Sequence, residues 1–152
     1  MIRDTGIRPV RSGDIGTIST LIQNTLLISN GVDYDFGVIR YLSHQYSPAG
    51  VAEMARKREM YVYDDSGQIA GTISLGGNTV FGFFVAPDRQ REGVGSKLLR
   101  WAEKKAREKG RRTLQVGASI TAVDFYRKHG YKTLRQEQDR SHGDVYFMEK
   151  VL

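Results

Sequence analysis

Between Val85 and Leu98 the chain runs Val-Ala-Pro-Asp-Arg-Gln-Arg-Glu-Gly-Val-Gly-Ser-Lys-Leu. A strand-like run stops at Ala86-Pro87, a turn follows, and a helical pattern starts at a Gly-x-Gly made by Gly93 and Gly95. The first N–H groups of a helix have no internal acceptor, and the aligned peptide dipoles add partial positive charge there. Glycine lacks a Cβ, so an anion can reach the backbone. The chemistry on offer is the binding of phosphate or diphosphate. Arg91 and Lys97 are near enough in sequence to add side-chain charge. The spacing is not that of a P-loop, because Lys97 follows Ser96 and no glycine stands at the required upstream position. It is not the dinucleotide fingerprint either, because Leu98 takes the place of the third glycine. On these residues alone, a Gly-rich turn that binds nothing is an equal alternative.

Other chemistries are closed off by composition. The chain has no cysteine, which excludes disulfides, thiolate metal sites and cysteine nucleophiles. His44, His129 and His142 lie far apart without metal-ligand spacing and read as surface or internally satisfied histidines. No metal is expected.

The elements around the loop follow from periodicity. Residues 6–10 read as a first strand. Ser12 is a candidate cap for a helix with Asp14 in its first turn, and Ile15, Ile18, Leu21, Ile22 and Leu26 carry that helix to about residue 29. Residues 33–44 are weakly helical, and Pro48 opens another helix to about Arg58. Strands then dominate: residues 60–63, a turn at Asp64–Gly67, a returning strand over 68–75 and a third over 79–85. Val94, Leu98, Trp101, Ala102 and Ala106 form one apolar stripe that ends at Gly110. A strand over 113–116, a short helix over 120–129 ending at Gly130, and strands over 131–138 and 144–150 close the chain. This order predicts one α/β (α+β) domain over 1–152, with a single mixed, mostly antiparallel central sheet and helices on both faces.

Together with its neighbours, the loop resembles the acyl-CoA site of the GNAT superfamily of N-acetyltransferases. The family loop Q/R-x-x-G-x-G/A is matched by Gln90-Arg91-Glu92-Gly93-Val94-Gly95. The aromatic strand ending in V-x-P is matched by Phe83-Phe84-Val85-Ala86-Pro87. A second block, roughly N-x-x-A-x-x-F/L-Y-x-K-x-G-F/Y, is matched from Ser119 through Ala122, Phe125, Tyr126, Lys128 and Gly130 to Tyr131. The resemblance implies acetyl-CoA as cosubstrate. The backbone of Arg91–Ser96 would hold its diphosphate, and Phe83–Val85 would pair with the pantetheine amides where strands 79–86 and 113–117 splay. The backbone near Phe84 would polarise the thioester carbonyl. Ser119, Asp124, Phe125 and Lys128 would line the other side of the arm, and Tyr126 would be the general acid. Two positions depart from the pattern. Serine stands at 119 where the family often has asparagine, and the strand over 79–85 lacks the glutamate that many members use as base.

The resemblance places the acceptor pocket in the N-terminal half. There Asp33, Asp35 and Glu53 are candidate bases, though each alone reads as a surface carboxylate, and an ordered water relay is the other route. Tyr34, Tyr41 and Tyr46 are candidate lining residues that aromatic packing explains as well. Asp33-Tyr34-Asp35 points to a cationic amine. The acceptor itself stays unnamed.

The 152 residues carry 39% hydrophobic and 26% charged residues, with a net charge of +6. Residues 89–112 hold ten basic and three acidic groups, +7 in all, leaving −1 for the remainder. Such a field attracts polyanions or a phosphorylated small molecule, and it is also what a solvated helix face looks like. A nucleic-acid binder is one rival reading, weakened because Trp101 is the only aromatic in that window and falls on the apolar stripe. A non-catalytic CoA-binding module is the other. No apolar run reaches the roughly 18 residues of a membrane span, and no secretory signal is evident. The sequence thus reads as a cytoplasmic enzyme without a membrane partner, with a homodimer as the family-level expectation.

Overall fold

The alternation in residues 59–65 explains how the sheet divides the molecule. In this computed structural model, which describes residues 5–30, 36–138 and 143–152, Met60 and Val62 point to one face of the sheet. Tyr61 and Tyr63 point to the other. Seven strands form one sheet: β1 (Thr5–Pro9), β2 (Glu59–Asp65), β3 (Gln68–Gly76), β4 (Thr79–Val85), β5 (Thr113–Ala118), β6 (Lys132–Glu137) and β7 (Val145–Val151). Their order is β1-β2-β3-β4-β5-β7-β6. All neighbours are antiparallel except β4 and β5, which are parallel.

On the Met60/Val62 face pack α1 (Ile15–Thr25), α2 (Phe36–Gln45) and α3 (Pro48–Lys57), through Ile18, Ile22, Ile39 and Val51, with Leu26 just beyond α1. On the Tyr61/Tyr63 face lies α4 (Val94–Glu108), whose Val94, Leu98, Leu99, Ala102 and Ala106 are the predicted stripe with Leu99 added. Trp101 sits at its margin, edge-on to Tyr61 at 5.6 Å. The last helix, α5 (Val123–Lys128), closes with the Gly130 N–H on the Arg127 carbonyl (3.0 Å) and the Tyr131 N–H on the Tyr126 carbonyl (3.1 Å).

Three local expectations need correction. Ser12 does not cap α1: it opens a 3-10 turn over 12–14, and Asp14 stands at the helix N-cap. The Asp14 carboxylate accepts from the Arg11 N–H (2.7 Å) and is gripped by Arg8 (2.8 Å). The first helix does not run regularly to 29. Beyond Thr25, whose hydroxyl donates to the Leu21 carbonyl (2.7 Å), the chain widens into a π-helical turn over 26–30. The predicted helix over 120–129 divides into a 3-10 turn over 120–122 followed by α5.

Candidate active site

The cleft exists because β4 and β5 share so little. They pair only at Thr79–Gln115 and Val80–Val116. Beyond those residues β4 stays with β3 to Val85, and β5 stays with β7 to Ala118. A cavity of about 930 Å³ opens between them, lined by residues 79–85 on one side and 115–119 on the other.

A bulge shapes the β4 wall. Ser74 faces Phe81 and Thr72 faces Phe84, so Gly82 and Phe83 together oppose Ile73. Gly82 has φ +52°, and a Cβ there would stand 2.8 Å from the Met54 sulfur. Only glycine suits both conditions. Past the bulge the ladder decides which peptide groups are free. The Ala86 N–H donates to the Ala70 carbonyl (2.8 Å). Antiparallel pairs alternate between bonded and non-bonded, so Thr72–Phe84 is a bonded pair and the Val85 N–H and C=O turn into the cleft. There the Val85 carbonyl accepts from Gln90 Nε2 (3.2 Å), with Thr25 Oγ1 3.4 Å away. The cleft-facing backbone is therefore that of Val85, not Phe84. Phe84 spends its amide on β3 and its ring against Tyr46 on the opposite face (5.3 Å).

The mouth of the cleft is the start of α4. Gly93 is its N-cap, with φ +86° and no side-chain cap. Lys97 makes the first helical N–H bond, to the Gly93 carbonyl (3.1 Å). The amides of Gly95 and Ser96 therefore have no intrahelical acceptor, and both residues line the cavity. A Cβ on Gly95 would lie 3.4 Å from both Phe125 and Val85, so that approach is narrow. Arg91 adopts φ +68°, unusual for a residue with a side chain, and lines the cavity with Gln90. Of the other loop residues named from sequence, Glu92 is exposed and paired with Arg89 (2.9 Å), and Val94 is buried in the core.

Ser119, Ala122, Phe125 and Tyr126 complete the far wall. Tyr126 is buried, with its ring edge-on to Phe83 (6.1 Å), Phe125 (5.5 Å) and Tyr131 (5.5 Å). Burial pushes its phenol well above the ordinary tyrosine value. Asp124 and Lys128 do not line the cavity; Asp124 is exposed and pairs with Arg127 (3.1 Å).

The other end of the cavity is built, apart from the predicted lining residue Tyr46, from residues the sequence did not single out for the site. Thr25, Leu26, Leu42 and Tyr46 approach from α1, its π turn and the end of α2, Leu134 and Arg135 from β6, Asp144 from just before β7, and Val145 and Phe147 from β7. Arg135 lies over the Phe147 ring (4.2 Å) and bonds Glu137 (3.1 Å). Among the described residues Asp144 is the one carboxylate lining the cavity. Glu53 lies elsewhere, on the exposed side of α3, paired with Arg56 and Lys57. Tyr41 is exposed and Tyr46 lines the cavity. Asp33, Tyr34 and Asp35 fall outside the described residues. No local spacing links Thr25, Tyr46, Arg135 and Asp144, so no sequence signal could have joined them.

A family model described as an acetyltransferase (GNAT) domain matches residues 33–152. The chain belongs to the GNAT acetyltransferase family. Among curated proteins it is similar to the uncharacterized N-acetyltransferase YafP of Escherichia coli (strain K12), 30% identical over 112 residues, or 66% of this chain and 71% of YafP. Among solved structures, the GCN5-related N-acetyltransferase of Rhodopseudomonas palustris superposes with a TM-score of 0.91 at 23% identity, over 100% of this chain and 99% of that one. PaiA N-acetyltransferase of Thermoplasma acidophilum, solved in complex with coenzyme A, gives 0.82 at 18% identity over 98% and 99%. YncA of Salmonella typhimurium, solved with acetyl-CoA, gives 0.68 at 20% over 98% and 94%. At these identities the structural likenesses are of fold, and the GNAT fold is the mixed sheet with helices on both faces that the element order predicts. In this GNAT domain no described helix is long and apolar enough to cross a membrane.

Proposed function

We propose that this GNAT domain is an acetyl-CoA-dependent N-acetyltransferase that moves an acetyl group to a primary amine by direct attack on the thioester. The observation that carries the reading is the junction of the β4–β5 splay with the open amides of α4. An extended arm fits the first and a diphosphate fits the second. The narrow approach at Gly95, which a side chain would fill, suits a thin chain passing from one to the other. PaiA and YncA, with the same fold, were solved holding coenzyme A and acetyl-CoA.

The bound thioester supplies an activated acetyl group; this chain's residues do the rest. Gly95 and Ser96 amides hold the diphosphate, with Arg91 adding charge. The Val85 peptide pairs with the arm, and its N–H meets the carbonyl oxygen on which negative charge builds. Asp144 draws the cationic amine and takes its proton, since only the neutral amine has a lone pair to form the C–N bond. Tyr126, kept protonated by burial, gives its proton to sulfur as the C–S bond breaks. The apolar walls at Leu26, Leu42, Leu134 and Phe147 suit an amine borne on an apolar or aromatic group.

The test is release of free thiol from acetyl-CoA with a panel of amines. Turnover that depends on both partners supports the reading. Coenzyme A binding without turnover on any amine would leave a binding module in place of an enzyme.

A further inference from the structure

We infer that His129 is a positioning residue of the diphosphate site, and that its protonation tightens the hold of the α4 start on an anionic ligand. The inference rests on reading that helix start as the diphosphate site. His129 follows α5, half-buried, with its ring centroid 4.5 Å from that of Phe125. Its backbone N–H bonds the Tyr126 carbonyl (3.0 Å), which leaves the Phe125 carbonyl to the side chain, at 2.8 Å from Nδ1. A carbonyl only accepts, so Nδ1 carries the proton. In the neutral ring Nε2 is then an acceptor, and it lies 3.0 Å from Ser96 Oγ. The Ser96 hydroxyl gives His129 its only proton and offers the cavity lone pairs alone, which repel phosphoryl oxygens.

A second ring proton, taken from solvent, reverses the bond. Nε2–H then donates to Ser96 Oγ, and the hydroxyl proton is free to turn to a phosphoryl oxygen. A diphosphate bound at the α4 start attracts that second proton. Ligand binding and proton uptake are therefore linked. The charged groups on the neighbouring elements do not supply the missing anion. On α4, Lys97 and Arg100 follow Ser96, and Glu103 is bound by Tyr131 (2.8 Å) and Lys150 (3.1 Å). On α5, Asp124 pairs with Arg127 and Lys128 is exposed. From β7, the Lys150 side chain passes Gly130.

Calorimetric titration of coenzyme A between about pH 5.5 and 8, in two buffers of different ionisation heat, tests the linkage. The wild-type chain should gain about fivefold in affinity toward the acid end, as one partly screened charge provides at a helix terminus, with proton uptake. His129→Gln, which can donate to Phe125 or accept from Ser96 but cannot gain charge, should keep its melting temperature and lose that gain beyond the ligand's own titration. Ser96→Ala should lose it too, and adding His129→Gln to it should change little more. Pantetheine, which lacks phosphates, should bind all four chains alike. The same slope and uptake in His129→Gln as in wild type, or effects of the two substitutions that add, would overturn the inference. Absence of coenzyme A binding by the wild type at every pH would instead remove the parent reading, and this inference with it.

Discussion

Tyr126 combines two properties that are hard to have together: it is buried, yet it lines the cavity. Burial raises its pKa, so the hydroxyl stays protonated throughout the working range, and an alkaline fall in rate would come from another group. Tyr126→Phe keeps the ring that packs on Phe83, Phe125 and Tyr131 and removes only the proton. Turnover should fall about 100-fold while coenzyme A affinity holds, which steady-state thiol release and calorimetry measure separately. Unchanged turnover would take Tyr126 out of the mechanism. In the proposed reaction Asp144 serves the other substrate. Asp144→Asn should raise KM for a cationic amine about tenfold, the worth of a lost charge-assisted hydrogen bond, lower turnover because an amide cannot take the amine's proton, and leave KM for acetyl-CoA in place.

Among the elements, β4 bears the most constraint. Its bulge turns the Val85 peptide into the cleft, and Gly82 permits it. Gly82→Ala meets both a left-handed backbone and the Met54 sulfur, so it should cost about 1–3 kcal/mol. A lower melting temperature together with weaker coenzyme A binding is the expected result. At the far edge, Arg8 ties β1 to β2 and to the turn before α1 through Asp64 (2.9 Å) and Asp14 (2.8 Å). The Arg8 hydrogen bond holds both carboxylates below their ordinary value. A lowered folded pKa gives stability that is complete above the unfolded value and lost as pH falls through the folded one. Thermal melts should therefore decline below the ordinary aspartate value of 3.8, and Arg8→Met should flatten that decline. Most of these elements were legible beforehand. The alternation in β2–β4 and the stripe of α4 are local patterns, and Gly110 and Gly130 mark helix ends. The Gly82 bulge was not legible, because it depends on partners far along the chain, Met54 and Ser74; the π turn after Thr25 was not legible either, because nothing in its local spacing marks it.

In the whole molecule, two hydrophobic clusters on opposite faces hold the sheet while β4 and β5 part. One polar group sits deep in the α4 face: Glu103, 3% exposed, bonded to Tyr131 and Lys150. Removing its counter-charge by Lys150→Met should destabilise the chain by about 3 kcal/mol, since a buried carboxylate would be left unpaired; denaturant unfolding measures this. The division of the site explains what sequence could show. The half proposed to bind the diphosphate lies in a few consecutive residues, Gln90–Ser96, where spacing is visible. The half proposed for the acceptor gathers Thr25, Tyr46, Arg135 and Asp144 from three separate regions, and only the fold brings them together. The same holds for His129, whose link to Ser96 spans 33 positions.

Amide chemical shifts of the ¹⁵N-labelled chain, followed as coenzyme A is added, report most directly on where it binds. The amides of Val85, Gly93, Gly95 and Ser96 should move most, with those of residues 117–126 next. A chain whose shifts stay still, or move on the outer face of α4 instead, would contradict the site described here.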